Sequence, residues 1–95
     1  MSIVIIGGHD CMVCRYKNIC KENNCSAKVY TQPNGNLEGM IGKPDLIIIF
    51  TNVVSHKMAK IARKQAVCHN IRLEQSHNGS ASALKAILAK TNLKR

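Results

Sequence analysis

Aromatic residues are nearly absent from this 95-residue chain: Tyr16, Tyr30 and Phe50 are the whole set, with no tryptophan, and together they make 3% of the composition. The core must therefore be aliphatic, and a base-stacking platform for single-stranded nucleic acid has almost nothing to be built from. Acids are scarce too, five against fourteen Lys and Arg, for a net charge of +9. Only Asp10 lies near the polar turns described below, so no paired-carboxylate constellation exists and catalysis is not supported. No apolar run reaches the ~18 residues of a membrane span. MSIVIIGGHD has no basic stretch ahead of its apolar run and no cleavage pattern, which argues against a secretory signal and leads to a cytoplasmic expectation. In that compartment the five cysteines, Cys11, Cys14, Cys20, Cys25 and Cys68, are expected to be reduced, as their odd number also indicates.

Hydrophobic residues make up 45% of the chain, an ordinary globular share, and the length fits a single domain over residues 1–95. Ser2–Ile6 is a β-branched run ending in Gly7-Gly8, a buried strand and its turn. Asp10 is expected to cap a helix over Cys11–Asn23, with Val13, Tyr16 and Cys20 inward and Asn23-Asn24 as its stop. Ser26–Thr31 is the second strand, and TQPNGN carries turn chemistry. A short helix over Leu37–Ile41 ends at Gly42. LIIIF, residues 46–50, has no polar alternation, which marks a parallel strand buried on both faces. Ser55 is expected to cap a helix reaching about His69, with Met58, Ile61, Ala62 and Gln65 on its buried stripe. Ile71–Glu74 reads as a fourth strand and Ser80–Lys90 as a last helix turning Leu84, Ile87 and Leu88 inward. Alternating strands and helices predict an α/β fold: a small Rossmann-like or flavodoxin-like three-layer sandwich with a four-stranded parallel sheet in the order 2-1-3-4.

In such a sheet ligands sit beyond the carboxyl ends of the strands. His9 follows the first strand, Thr51, Asn52, Ser55 and His56 follow the third, and His77 follows the fourth. One histidine near a turn is ordinarily a surface or capping residue. Three on one edge form a candidate site, while His69 falls at the opposite edge.

The segments IVIIGGHD, PDLIIIFTNVVSHKMAK and IRLEQSHNGSASALK resemble the DUF2325 family of small bacterial and archaeal proteins over nearly the whole chain. The GGH turn, the D-L-I-I-x-F-T-N-x-x-S-H-K-M segment and the SH-x-x-S turn carry the resemblance most specifically. It implies the Rossmann-like fold and an association with haem or metal binding. A charged residue is expected in that family where this chain has Cys11, and no thiol at Cys14, so the CMVC pair stands apart from the resemblance.

The residues are compatible with four chemistries. The first is a cofactor site for haem or a transition metal ion, with His56 as the leading ligand and His9 and His77 beside it. Thr51 and Asn52 line this site, Lys57 and Arg15 are placed to meet propionates, and Met12, Met40 and Met58 offer soft contact surface. A homodimer is expected to compensate for the thin core and to wall a haem pocket that lacks aromatic residues. Gas or redox sensing, or carriage, is the expected role. The second is a phosphate or nucleotide site at helix N-termini, using Gly7-Gly8, Ser55, Ser76 and Ser80, although GGHDC matches neither G-x-G-x-x-G nor a P-loop. The third is dithiol redox or zinc chemistry at Cys11 and Cys14, which follow a strand and open a helix. The fourth is non-specific nucleic-acid binding through charge. It is disfavoured, because Lys57, Lys60, Arg63, Lys64 and the tail residues Lys90, Lys94 and Arg95 read as a solvated basic surface.

Overall fold

A computed structural model of the chain describes residues 2–31 and 37–92. The turn expected at Gln32–Asn36 and the tail cations Lys94 and Arg95 lie outside the described residues. Four parallel strands run in the order 2-1-3-4. They are β1 (Ser2–Gly7), β2 (Ser26–Tyr30), β3 (Leu46–Phe50) and β4 (Arg72–Ser76). The helices are α1 (Val13–Glu22), α2 (Leu37–Ile41), α3 (His56–Cys68) and α4 (Ala81–Asn92), with single 3-10 turns at Asp10–Met12 and Thr51–Val53. Among the described residues no helix is long and apolar enough to cross a membrane.

Side chains of a strand alternate between the two faces of a sheet, and here both faces are covered. Ile3 and Ile5 of β1 and Leu46, Ile48 and Phe50 of β3 pack with Tyr16, Ile19 and Cys20 of α1 and Leu84 and Leu88 of α4. The intervening Val4, Ile6, Ile47 and Ile49 pack with Ile41 of α2 and with Met58, Ala59, Ala62 and Ala66 of α3. This explains why LIIIF shows no alternation: each phase has its own helical layer. The buried stripe of α3 differs from the expected one. Ile61 and Gln65 are half-buried, and the seam against the sheet is Met58, Ala59, Ala62 and Ala66. Alanine lets the helix axis lie close to the strands, so small side chains take the seam and Ile61 moves to its border.

The helix ends follow local chemistry in most places. Ser55 caps α3, its Oγ accepting from the Met58 N–H at 3.2 Å. Asn24 (φ 59°) and Asn70 (φ 53°) adopt left-handed backbone and end α1 and α3, with the Cys25 N–H reaching the Cys20 carbonyl and the Ile71 N–H the Ala66 carbonyl, each at 2.8 Å. The Asp10 expectation is corrected: α1 begins at Val13 with no side-chain cap. Asp10 instead lies in the preceding 3-10 turn, where its carboxylate accepts a hydrogen bond from the Thr31 hydroxyl. Cys20 and Cys25 are buried, whereas Cys11, Cys14 and Cys68 are exposed. Both sheet edges carry charge, Lys28 on β2 and Arg72 and Glu74 on β4, and Glu74 is flanked by Arg72 Nε at 3.5 Å and Lys90 Nζ at 3.2 Å. Charged edges oppose strand pairing with another molecule.

Candidate functional site

Strand register builds the candidate site. Gly7 is level with Phe50, and Phe50 with Ser76. Ile6 is level with Tyr30, which brings Thr31 to the same height. Residues immediately beyond this row therefore form one rim: Gly8, His9 and Asp10; Thr31; Thr51 and Asn52; His77 and Asn78. Hydrogen bonds tie the loops pairwise. The Asn52 N–H donates to the His77 carbonyl at 3.1 Å, the Thr51 hydroxyl reaches the Ser76 carbonyl at a long 3.4 Å, and Thr31 holds Asp10.

The remaining tie runs beneath the rim and was missed from the sequence. The Tyr16 hydroxyl donates to the Gly79 carbonyl at 2.6 Å. Burial raises its pKa above the ordinary 10.0, opposed by a backbone hydrogen bond from His9 and assisted by the nearby Cys11. One phenol thus meets the backbone of the loop carrying His9 and of the loop after β4 that carries His77. Gly8 and Gly79 make room for it. A Cβ on Gly8 would come within 2.7 Å of the Tyr16 oxygen, and one on Gly79 within 3.2 Å. The available signal was that Tyr16 is one of three aromatics and sits at inward helical spacing, but its partner is 63 residues away.

The expected site residues fall as follows. His9, Asn52 and His77 on the rim are exposed, as are His56 and Lys57 at the start of α3, Cys11 in the 3-10 turn, and Cys14 and Arg15 in the first turn of α1. Thr51 is half-buried and its hydroxyl is engaged with β4. His69 follows α3 at the opposite edge. The imidazoles share an edge without forming a chelating set: among the described residues no three of His, Cys, Asp and Glu are gathered closely enough to hold a metal ion. No cavity opens between them among those residues. The phosphate alternative meets an obstacle of its own. At α3 and α4 the Met58 and Ala83 N–H groups are already accepted by Ser55 and Ser80 Oγ, both at 3.2 Å, so an anion there would have to displace the caps. The cations of α3, Lys57, Lys60, Arg63 and Lys64, are exposed, and Arg63 is hydrogen-bonded to Gln75 at 3.2 Å.

A family model described as "Uncharacterized protein conserved in bacteria (DUF2325)" matches residues 2–91. The chain belongs to this family. A search of curated proteins gave no match. Two solved structures resemble this DUF2325 chain. A de novo designed Rossmann 2x2 fold protein aligns with a TM-score of 0.65 at 11% identity, over 98% of this chain and 87% of the other. The lactose-specific IIB component domain of a phosphoenolpyruvate:carbohydrate phosphotransferase system from Streptococcus pneumoniae aligns with a TM-score of 0.62 at 13% identity, over 99% and 95%. At such identities the likeness is one of fold.

The Tyr16 tie gives the DUF2325 rim a testable anchor. Tyr16→Phe leaves the buried Gly79 carbonyl without its donor and should cost about 1–3 kcal/mol at neutral pH. Because the folded-state pKa is raised, the neutral phenol contributes fully below the unfolded value of about 10, and this contribution is lost as pH rises through the folded value. The wild type should therefore lose urea stability above pH ~10 more steeply than Tyr16→Phe, narrowing the gap between them. Parallel curves across that range would show that the phenol is not held neutral by the fold.

Proposed function

We propose that this chain is a cofactor-binding module that takes haem through a rim imidazole, with His56 the leading ligand, and that a second copy closes the site. The observation that carries this proposal is the level row Gly7, Phe50 and Ser76, from whose far side the loops bearing His9, His56 and His77 all depart. The donor set favours haem over a bare ion. A structural metal ion needs about four ligands and a catalytic one about three, and no group of three is gathered among the described residues. Haem iron needs one or two axial ligands, its porphyrin supplying the rest. Exposed Lys57 and Arg15 suit the propionates. Haem would supply reversible ligand or electron binding at its iron, and the role we assign is gas or redox sensing, or carriage.

The second copy follows from the open rim. A planar apolar cofactor on an open surface with so few aromatic residues remains half-solvated, and a facing rim from another molecule would cover it. Charge on both sheet edges favours association through the rim over strand pairing. Titration of the purified chain with haemin should give a saturable Soret band, with a dimer by light scattering at saturation. His56→Ala should weaken binding by at least about tenfold, as loss of even an outer-shell partner does at metal sites. His69→Ala, at the far edge, should leave it unchanged. Absence of a saturable band would end the haem proposal. Stoichiometric zinc or nickel by elemental analysis would transfer it to a bare ion shared between copies.

A further inference from the structure

We propose that Cys11 and Cys14 form a redox site, a dithiol that closes to an intramolecular disulfide by exchange with a low-molecular-weight disulfide of the glutathione class. A free cysteine is ordinarily a small buried hydrophobe. That role accounts for Cys20, whose thiol burial pushes up to about 11, and for Cys25, which is also buried. It does not account for Cys11 and Cys14, both exposed.

Their spacing suits closure. The intervening Met12 (φ −98°, ψ −3°) and Val13 (φ −54°, ψ −50°) are both in right-handed helical backbone. A helical rise of about 1.5–2.0 Å per residue on a radius of about 2.3 Å separates Cα atoms three residues apart by roughly 5–6 Å. Disulfides span Cα distances of roughly 4.4–6.8 Å, so the bond forms without unwinding the turn. Backbone hydrogen bonds from Met12 to His9 and from Val13 to Asp10 hold that turn. The other exposed thiol, Cys68, ends α3 just before β4 begins, at the opposite edge of the sheet, and can reach neither.

In the reaction one cysteine thiolate attacks a sulfur of the small disulfide, forms a protein mixed disulfide and expels one small thiol. The second cysteine thiolate then attacks the protein sulfur of that bond, forms the Cys11–Cys14 disulfide and expels the second small thiol. The protein gives up two electrons and two protons, and the small disulfide receives them. The site uses no imidazole, so it stands or falls separately from haem binding.

The test equilibrates the full chain in reduced and oxidised glutathione, quenches with acid, alkylates and maps the peptides by mass. Residues 1–15 form one tryptic peptide holding both cysteines. At the oxidising end this peptide should lose both alkylatable thiols together and be lighter by two hydrogens than its reduced form, while Cys68 is still alkylated or carries its own glutathione. Cys11→Ser and Cys14→Ser should each accumulate a glutathione adduct on the remaining cysteine, with an unchanged far-UV circular dichroism spectrum, because both positions are exposed. A wild-type peptide that keeps a stable glutathione adduct beside a free thiol would overturn the proposal. So would two thiols that stay free at the oxidising end, or a disulfide found only between copies.

Discussion

Gly8→Ala is expected to destabilise the fold by about 2–6 kcal/mol, the sum of backbone strain and overpacking at one residue. Gly8 has φ +89°, a region that residues with a Cβ rarely adopt, and the added methyl would sit 2.7 Å from Oη and 2.8 Å from Cε2 of Tyr16. Tyr16 cannot withdraw cheaply. It is fully buried, its ring rests against Phe50 with centroids 5.3 Å apart, and its hydroxyl is committed to Gly79. The two contributions separate experimentally. Gly42 has φ +62° with nothing within 4 Å of its missing Cβ, so Gly42→Ala should show strain alone, about 1 kcal/mol. Shortening the partner in the double mutant Gly8→Ala/Tyr16→Leu should recover part of the clash and give a loss smaller than the two singles summed. Equal urea midpoints for Gly8→Ala and Gly42→Ala would show that the rim is not packed on Tyr16 as described.

The legibility of this molecule divides along a physical line. Patterns fixed by the chain's own periodicity were readable: LIIIF as the central strand, Ser55 as a cap, the Asn23-Asn24 stop and the order 2-1-3-4 all follow from rules acting over a few residues or from the handedness of crossovers. The rim was readable at one remove, because parallel topology alone sends the residues after β1, β3 and β4 to one edge. Features that depend on how surfaces meet were not. Nothing local says that alanines rather than Ile61 form the seam of α3, that Asp10 turns to Thr31 instead of capping α1, or that Cys68 faces water. Least visible was the Tyr16 tie, since it requires two glycines in separate loops to yield space to one ring. The absence of a cavity between the imidazoles among the described residues is a fact of the same kind: sequence brings groups to an edge, but packing decides whether a hollow remains. Tyr16 and Phe50, both fully buried, pack against each other beneath that edge.

Phe50→Ala tests that last relation and should cost about 3–5 kcal/mol, the range for deleting a large buried aromatic side chain. Phe50 is the final residue of β3 and fully buried. It supports Tyr16 from below, and a Cβ on Gly79 would lie 3.7 Å from its Cγ. Domains of this size have total stabilities of about 5–15 kcal/mol and shift their midpoint by about 4–8 °C per kcal/mol. Loss of the ring should thus lower the Tm by roughly 12–40 °C, leaving a population that is folded in the cold. Phe50→Leu should lose less than half as much, because it keeps most of the apolar volume. The same cavity has a consequence for binding. With Phe50 gone, Tyr16 can settle toward the sheet and draw the His9 and Gly79 backbones with it, altering the spacing of His9 and His77 while leaving His56, fixed by the Ser55 cap, where it was. Under the haem proposal, titration of Phe50→Ala with haemin in the cold, where a folded population persists, should therefore retain the band proposed for His56 and change only the contribution of a second axial ligand. Complete loss of binding in a variant whose circular dichroism is native would place the iron ligand on the loops that Phe50 supports and remove His56 from the leading position.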